Sequence, residues 1–275
     1  MRARIGILGL SKEGFRPRDK VLIFVSLILL DPVGKIKRRL GWTYLPGRLA
    51  GKVVLKNDYG TLYCGDDLTR VWIASTRSEP TLAKFFDMDQ GVFVDVGANI
   101  GKYTVMVARK LGSRGKVVAI EPEPENFRLL QKNIELNGLT NVIPVRLACF
   151  EKNGPANLYI DSANPGGHSI MTSDAMPMGH TIHDDNKSIE VDGDTLDHIL
   201  QEFALGPISL IKIDVEGAEA RVLAGATSTL ERRPKLIFEA WDDARLARIS
   251  RILMCLGYRI DRIDKQNYFA ECELQ

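Results

Sequence analysis

The chain has 275 residues, 45% of them hydrophobic and 26% charged, with a formal net charge of +2. That length allows one large domain or two small ones, and the composition is that of an ordinary globular protein with a sizeable core. The near-neutral charge points away from a nucleic-acid partner. Four dispersed cysteines (Cys64, Cys149, Cys255, Cys272), with no Cys-x-x-Cys spacing, point to a reducing, cytoplasmic setting and to no zinc cluster.

The charge is unevenly spread. Met1–Leu40 carries ten Lys/Arg against three acids, so the remainder is net acidic. Within it, Val21–Leu30 is strongly apolar, but ten residues are too few to span a bilayer, which takes about twenty. No small-residue cleavage site follows before the basic run Lys35–Arg39, so a secretory signal is not expected. Two readings remain for this helix. It lies in an anionic membrane interface, making the protein peripheral to the membrane, or it packs on the rest of the chain or on a second subunit of a homodimer. Residues 1–50 form this basic, apolar helical extension, and residues 51–275 form the main domain.

Residues 52–91 lead into the core. Val53–Leu55 and Leu62–Cys64 flank a turn at Asn57–Gly60 and read as a hairpin. Thr69–Met88, broken by Pro80, reads as one or two helices. From Val92 to the end the rhythm is regular, with buried strands alternating with amphipathic helices, the signature of a doubly wound α/β sheet. Val92–Val96 is the first core strand, Lys102–Leu111 its helix and Lys116–Ile120 the second strand. Pro124–Asn137 is the second helix, with Phe127, Leu130 and Ile134 at helical spacing and Asn137-Gly138 as its stop. Val142–Ala148 is the third strand. An irregular stretch follows to Ile189. Ser209–Val215 is the fourth strand, Ala218–Leu230 its helix, Lys235–Trp241 the fifth strand and Ala244–Leu256 the last helix. Tyr258–Ile263 and Tyr268–Glu273 close the sheet as a hairpin.

The stretch Val92–Thr104 places a strand, a glycine turn and a helix start where α/β sheets hold nucleotide-like ligands. Gly97 permits a sharp turn, and Gly101 permits close packing of the helix. Asp95 puts a carboxylate where a pyrophosphate would be repelled and a cation or amine would be welcome. Glu121 ends the second strand about twenty residues on, the spacing at which an acid reaches ribose hydroxyls.

Four segments in order resemble the FkbM family of S-adenosylmethionine-dependent methyltransferases: Phe93–Thr104, Ala119–Asn126, Asn133–Gly138 and Ile211–Glu219. The resemblance runs from about Val92 to Trp241 and does not cover the first 49 residues. It implies a class I methyltransferase, Rossmann-like sheet with strand order 3-2-1-4-5-7-6, the last-inserted strand antiparallel. It also implies S-adenosyl-L-methionine as cofactor and methyl transfer, typically to oxygen, on a glycan or secondary metabolite.

On that reading Asp95, Gly97, Ala98, Asn99, Gly101, Tyr103 and Thr104 hold the methionine end of the cofactor. Glu121 holds the ribose, and Asn126, Leu147 and Ala148 wall the adenine. An alcohol is a poor nucleophile until a base or a metal helps remove its proton. Lys212, Asp214 and Glu216 end the fourth strand and are candidates to orient or deprotonate the acceptor, with Glu239 near the end of the fifth. His168, in the glycine-rich Pro165–Ser169, is a second candidate base. Three carboxylates could alternatively hold Mg²⁺, and His180 with His183, Asp184 and Asp185 has metal-compatible spacing, although the expectation is no metal. The other classes considered are a nicotinamide-dependent oxidoreductase, disfavoured by Asp95 and by the lack of Gly-x-Gly-x-x-Gly, and a non-catalytic cofactor-binding scaffold.

Overall fold

The structure, a computed structural model, describes residues 9–26, 48–161, 164–171 and 187–272. Residues 9–12 and 17–26 are helical. The chain then runs through β1 (Arg48–Asn57), β2 (Gly60–Asp67), α1 (Leu68–Ala74), a 3-10 turn (Ala83–Phe86), β3 (Gly91–Val96), α2 (Lys102–Leu111), β4 (Gly115–Ile120), α3 (Pro124–Leu136) and β5 (Val142–Val145). After these come β6 (Ala148–Cys149), β7 (Gly154–Tyr159), β8 (Ser188–Asp194), α4 (Leu196–Gln201), β9 (Ile208–Ile213), α5 (Glu219–Ala224), α6 (Thr227–Glu231), β10 (Lys235–Glu239), α7 (Asp243–Cys255), β11 (Tyr258–Arg262) and β12 (Asn267–Cys272).

β3 is buried on both faces, through Val92, Phe93, Val94 and Val96. A strand of that kind needs a partner on each edge and a layer on each face. It lies at the centre of a seven-stranded sheet ordered β11-β12-β10-β9-β3-β4-β5. β12 runs antiparallel to both β10 and β11, and the β10–β9, β9–β3, β3–β4 and β4–β5 pairs are parallel. Counted from β3, this is the 3-2-1-4-5-7-6 order with an antiparallel seventh strand, the class I methyltransferase fold. One face carries Val94, Val96, Ile211 and Phe238 into a cluster with α4 to α7, and the other carries Phe93, Val117 and Leu210 towards α2.

Local chemistry sets the helix ends. The Glu123 side chain caps α3 by accepting from the Asn126 N–H, with Pro124 in its first turn, and Gly138 beyond its end has a φ of +61°. Asp242 caps α7 through the Arg245 N–H at 2.8 Å.

Three expectations are corrected. The third strand does not run from Val142 to Ala148. It ends at Val145, and Ala148 and Cys149 turn into a separate three-stranded sheet, ordered β6-β8-β7. The stretch to Ile189 is therefore not wholly irregular. Its strands β7 and β8 pair antiparallel, but residues 160–187 separate them, so no short turn marks a hairpin in the sequence. The helix expected over Ala218–Leu230 is two helices, α5 and α6. At Gly225, between them, a Cβ would lie 2.4 Å from the Phe150 carbonyl oxygen, a contact only glycine allows.

The N-terminal residues and the lead-in are packed onto this core. Leu10 and Ile23 share an apolar cluster with Leu55 and Leu62 of the hairpin. The Glu13 carboxylate accepts from the Ser75 and Thr76 hydroxyls (2.8 and 3.0 Å) and from Asn57 Nδ2 (2.8 Å), joining the extension to the end of α1. Of Val21–Leu30, residues 27–30 lie outside the described residues, as do His180, His183, Asp184 and Asp185. Among the described residues, no helix is long and apolar enough to cross a membrane.

Asn133 of α3 and Asn137, which caps its end, hold the hairpin in place. Buried Asn133 accepts from the Tyr63 N–H at 2.7 Å and donates to the Tyr63 and Ile100 carbonyls at 3.3 and 2.8 Å, while Asn137 bonds both backbone groups of Thr61. Asn133→Ala leaves buried backbone groups unsatisfied and should cost about 2–4 kcal/mol. Urea unfolding of the two proteins, compared at equal m-value, measures it.

Candidate active site

A cavity of about 410 Å³ opens along the carboxyl edge of the sheet. That size is within the usual range for small-molecule sites, roughly 300–1,000 Å³. Its lining runs from Glu121, Asn126, Leu147 and Ala148, past the turn at Gly97–Asn99, to Lys212, Asp214, Glu216 and Glu239. Trp72 and Ile73 of α1 and residues 164–166 and 168–170 also line it.

The turn after β3 is built by close approach. At Gly97 (φ +79°) a Cβ would sit 1.8 Å from the Asp214 carbonyl oxygen, so only glycine fits where β3 passes the end of β9. Every backbone N–H of the turn is already used inside the protein. Those of Gly97 and Ala98 donate to the Ile120 carbonyl, both at 3.0 Å, and that of Gly101 donates to Ala98 at 2.9 Å. The Asn99 N–H donates to Glu121 Oε2 and the Ile100 N–H to Asn99 Oδ1, both at 2.8 Å. A phosphate cradle needs free N–H groups, and this turn offers none.

Glu121 is 5% exposed and has been pushed up to about 7, mainly by burial and against two backbone N–H donors. Its Oε1 accepts from the Glu123 N–H at 3.0 Å and its Oε2 from the Asn99 N–H. A carboxylate has about four acceptor positions, so one remains on each oxygen, a match to a vicinal diol.

Asn126 and Asn99 latch a cover over this end. Both side-chain amides donate to the Pro165 carbonyl, at 3.0 and 3.2 Å, and Arg70 donates to Asn126 Oδ1 at 3.2 Å. At the other end Ser169 Oγ donates to the Glu216 carbonyl at 2.7 Å. The 164–169 loop thus bridges the two halves of the cavity. His168 lies in it with Nδ1 accepting from the Asp161 N–H at 3.1 Å. Its neutral ring therefore carries the proton on Nε2, and burial holds its pKa down at about 4. In this arrangement His168 can donate a hydrogen bond but has no free lone pair with which to act as a general base, one of the two roles open to it from the sequence.

Beneath the turn is a charged core. The β3–β9 register places Lys212 beside Asp95. Lys212 Nζ lies 2.9 Å from Asp214 Oδ2 and 3.8 Å from Asp95 Oδ1. Burial alone would lower the Lys212 pKa, but Asp214 and Asp95 outweigh it and hold the ammonium charged. Asp95 accepts from Thr104 Oγ1 at 2.6 Å, and its Oδ1 is buried with no hydrogen-bond donor. Burial raises the Asp95 pKa, opposed by Lys212 and Thr104. Asp95, Gly101 and Thr104 are not among the lining residues, whereas Gly97, Ala98, Asn99 and Tyr103 are.

Beside them, carboxylate oxygens of Asp214, Glu216 and Glu239 lie within 4.8 Å of one another. Like charges so close do not all ionise. Burial first, then its acidic neighbours, pushes Glu239 up to about 9, and burial with Glu239 and Asp214 raises Glu216 well above its ordinary value. The trio could hold a hard cation through oxygen, or hold a proton.

The sequence reading missed a second lysine cluster. Lys102 opens α2 and is buried, with Nζ donating to the Ser78 carbonyl at 2.8 Å and to Glu79 Oε2 at 3.4 Å. Tyr103 donates its hydroxyl to the same Glu79 oxygen at 2.8 Å and stacks on Phe86, with centroids 4.5 Å apart. Burial lowers the Lys102 pKa against the pull of Glu79. Glu79 sits at a φ of +52° before Pro80, and nothing in that local sequence marks it as a site residue. With Glu79, the lining holds five carboxylates against two ammonium groups, both lysines already paired.

The FkbM methyltransferase domain family matches residues 95–260 of this chain. "Methyltransferase 1" of Beauveria bassiana is 26% identical over 191 residues, covering 64% of this chain and 76% of that protein. "Methyltransferase sdnD" of Sordaria araneosa is 27% identical, covering 62% and 74%, respectively. "Hexuronic acid methyltransferase AglP" of Haloferax volcanii is 25% identical, covering 72% and 79%.

Two outcomes test the electrostatics. Lys212→Met strands the buried Asp95 carboxylate and unpairs the half-buried Asp214, and should destabilise the fold by about 3–5 kcal/mol, with Asp95→Asn in the same chain restoring part of it in urea unfolding. Glu239 keeps its proton in the folded state up to about pH 9, while the unfolded chain releases it near 4.5, so its contribution to stability is lost as pH rises through that window. Thermal unfolding between about pH 7.5 and 9 should show a falling midpoint, and Glu239→Gln should flatten the slope. The family match spans more than half of the sequence, and the chain belongs to the FkbM methyltransferase domain family.

Proposed function

We propose that this methyltransferase uses S-adenosyl-L-methionine to methylate a hydroxyl oxygen of a glycan or a secondary metabolite. The observation that carries the cofactor reading is the turn from Gly97 to Gly101. Its N–H groups are all spent inside the protein, and the cavity around it is rich in carboxylates. Such a site favours a ligand with a sulfonium, an ammonium and a ribose, and it disfavours the pyrophosphate of a nicotinamide dinucleotide.

Glu121 would take the ribose hydroxyls, and the Gly97–Asn99 turn with Tyr103 would hold the methionine part. Ile120, Leu147 and Ala148 offer apolar walls for the base. S-adenosylmethionine supplies a methyl group on a good leaving group, so the protein's work is positioning and proton transfer.

With the ribose end at Glu121, the acceptor belongs at the opposite end of the cavity, among Lys212, Asp214, Glu216 and Glu239. Lys212 fixes Asp214 there. The ionised member of the Glu216–Glu239 pair is the base. Its proton affinity is raised by burial and by its neighbours, which brings it closer to the range useful for taking a hydroxyl proton. His168 Nε2–H is a donor that orients the acceptor. The likeness to a hexuronic acid methyltransferase, and the abundance of polar side chains at this end, support a polyhydroxylated acceptor.

Labelled methyl donor incubated with a panel of glycans and hydroxylated metabolites, with products located by mass spectrometry, tests this reading. Glu216→Gln should keep cofactor affinity within about threefold and lower turnover about 10²–10⁴-fold, the usual contribution of a general base, whereas Glu239→Gln, which replaces a carboxyl that keeps its proton to about pH 9, should cost less. Glu121→Ala should instead weaken cofactor binding. A product methylated on carbon or nitrogen would contradict the oxygen assignment.

A further inference from the structure

The helical residues 17–26 have two faces. Asp19 and Ile23 are fully buried, and Leu22 lies over Gly51 of β1, 3.5 Å from where a Cβ there would sit. On the outward face Val21, Phe24 and Val25, at i, i+3 and i+4, are between 36% and 59% exposed. Phe15 joins them at 48%, held beside β1 by its N–H bond to the Val54 carbonyl at 2.8 Å. Four large apolar side chains in eleven residues are therefore turned away from the core.

Cations surround them. Lys20 and Lys52 are exposed and have no ion-pair partner among the described residues. The Arg18 guanidinium reaches the Lys52 carbonyl at 3.5 Å, which places the two basic residues side by side. Lys56 lies over the Phe15 ring, 5.3 Å from its centroid. The nearby acids are engaged elsewhere. Asp19 is buried against Arg16 at 2.9 Å and lies 3.7 Å from the largely exposed Arg18 Nε, Glu13 faces Ser75 and Thr76, and Glu125 is held by Arg128 through two bonds of 2.8 Å.

We propose that this face docks the enzyme on an anionic lipid surface, with Phe15, Val21, Phe24 and Val25 entering the headgroup–acyl boundary and Arg18, Lys20, Lys52 and Lys56 meeting lipid phosphates. Apolar side chains ringed by long basic ones suit that interface, because the stems stay with the apolar surface while the charges reach the headgroups. A second copy of the chain is the poorer occupant, since an isologous contact would set the same four cations against their own copies. Residues 27–47 carry four Lys/Arg against one acid, so covering the face with them would also add like charge to like. The proposal is independent of the methyl-transfer reading.

Co-sedimentation of the full chain with phosphatidylglycerol or phosphatidylcholine vesicles tests it. The expected result is binding to the anionic vesicles only, weakened by salt. Arg18→Ala with Lys20→Ala should lower the partition coefficient about fivefold per residue. Phe24→Ser with Val25→Ser should lower it on the order of tenfold or more at unchanged ionic strength. All four positions are exposed, and unchanged circular dichroism and cofactor affinity would show that the variants fold. Failure of the unmodified chain to bind anionic vesicles would overturn the proposal. So would undiminished binding by both double variants, or a dimer in light scattering that Phe24→Ser with Val25→Ser breaks into monomers.

Discussion

A buried ammonium between two carboxylates organises this site. Lys212 is almost fully enclosed, and it keeps its charge only because Asp95 and Asp214 stand on either side. The β3–β9 register brings Lys212 alongside Asp95, and the tight crossing of Gly97 over the Asp214 carbonyl fixes the turn that follows. Moving any of the three would leave a charge in low dielectric without a partner. The carboxyl ends of the two central strands are thereby locked, and the turn, the cavity floor and the acidic trio inherit their positions from that lock.

The cavity has a gradient of chemistry along the sheet edge. At the β4 end, Glu121 is a carboxylate with spare acceptor positions, roofed by a loop that Asn99 and Asn126 hold through one carbonyl. At the β9–β10 end, Asp214, Glu216 and Glu239 share too little space for three full charges. Between them lies a turn with no free N–H to offer. The sheet edge therefore sets in series a carboxylate with spare acceptor positions, a turn without free N–H groups and a crowded acidic trio.

Much of this was legible in the sequence because it depends on local pattern. Strand and helix periodicity located the core elements, and the spacing from Gly97 to Glu121 placed an acid one strand over. Asp95 was readable as a conspicuous charge in an apolar strand, but its partners were not. Its role as a buried strut comes from register with Lys212, which has no local signature. Glu79 and Lys102 were missed for the same reason. They meet through a left-handed backbone at Glu79 and a loop that folds over α2, contacts 23 residues apart in the chain. The β6-β8-β7 sheet was missed because its hairpin is interrupted by a long insertion. His168 was readable as a loop histidine at the site, a base or a locally hydrogen-bonded side chain, and the bond from the Asp161 N–H to its Nδ1 is the second of these.

The central claim is that the turn after β3 and Glu121 form a site for a phosphate-free, cationic nucleoside. Calorimetric titration of the purified chain with S-adenosylmethionine, with NAD as comparison, tests it most directly. The account predicts saturable one-to-one binding of S-adenosylmethionine and no detectable heat with NAD. Binding of NAD, or equal binding of the two, would contradict it, because the turn would then be accepting a pyrophosphate that its hydrogen bonds leave no room to hold.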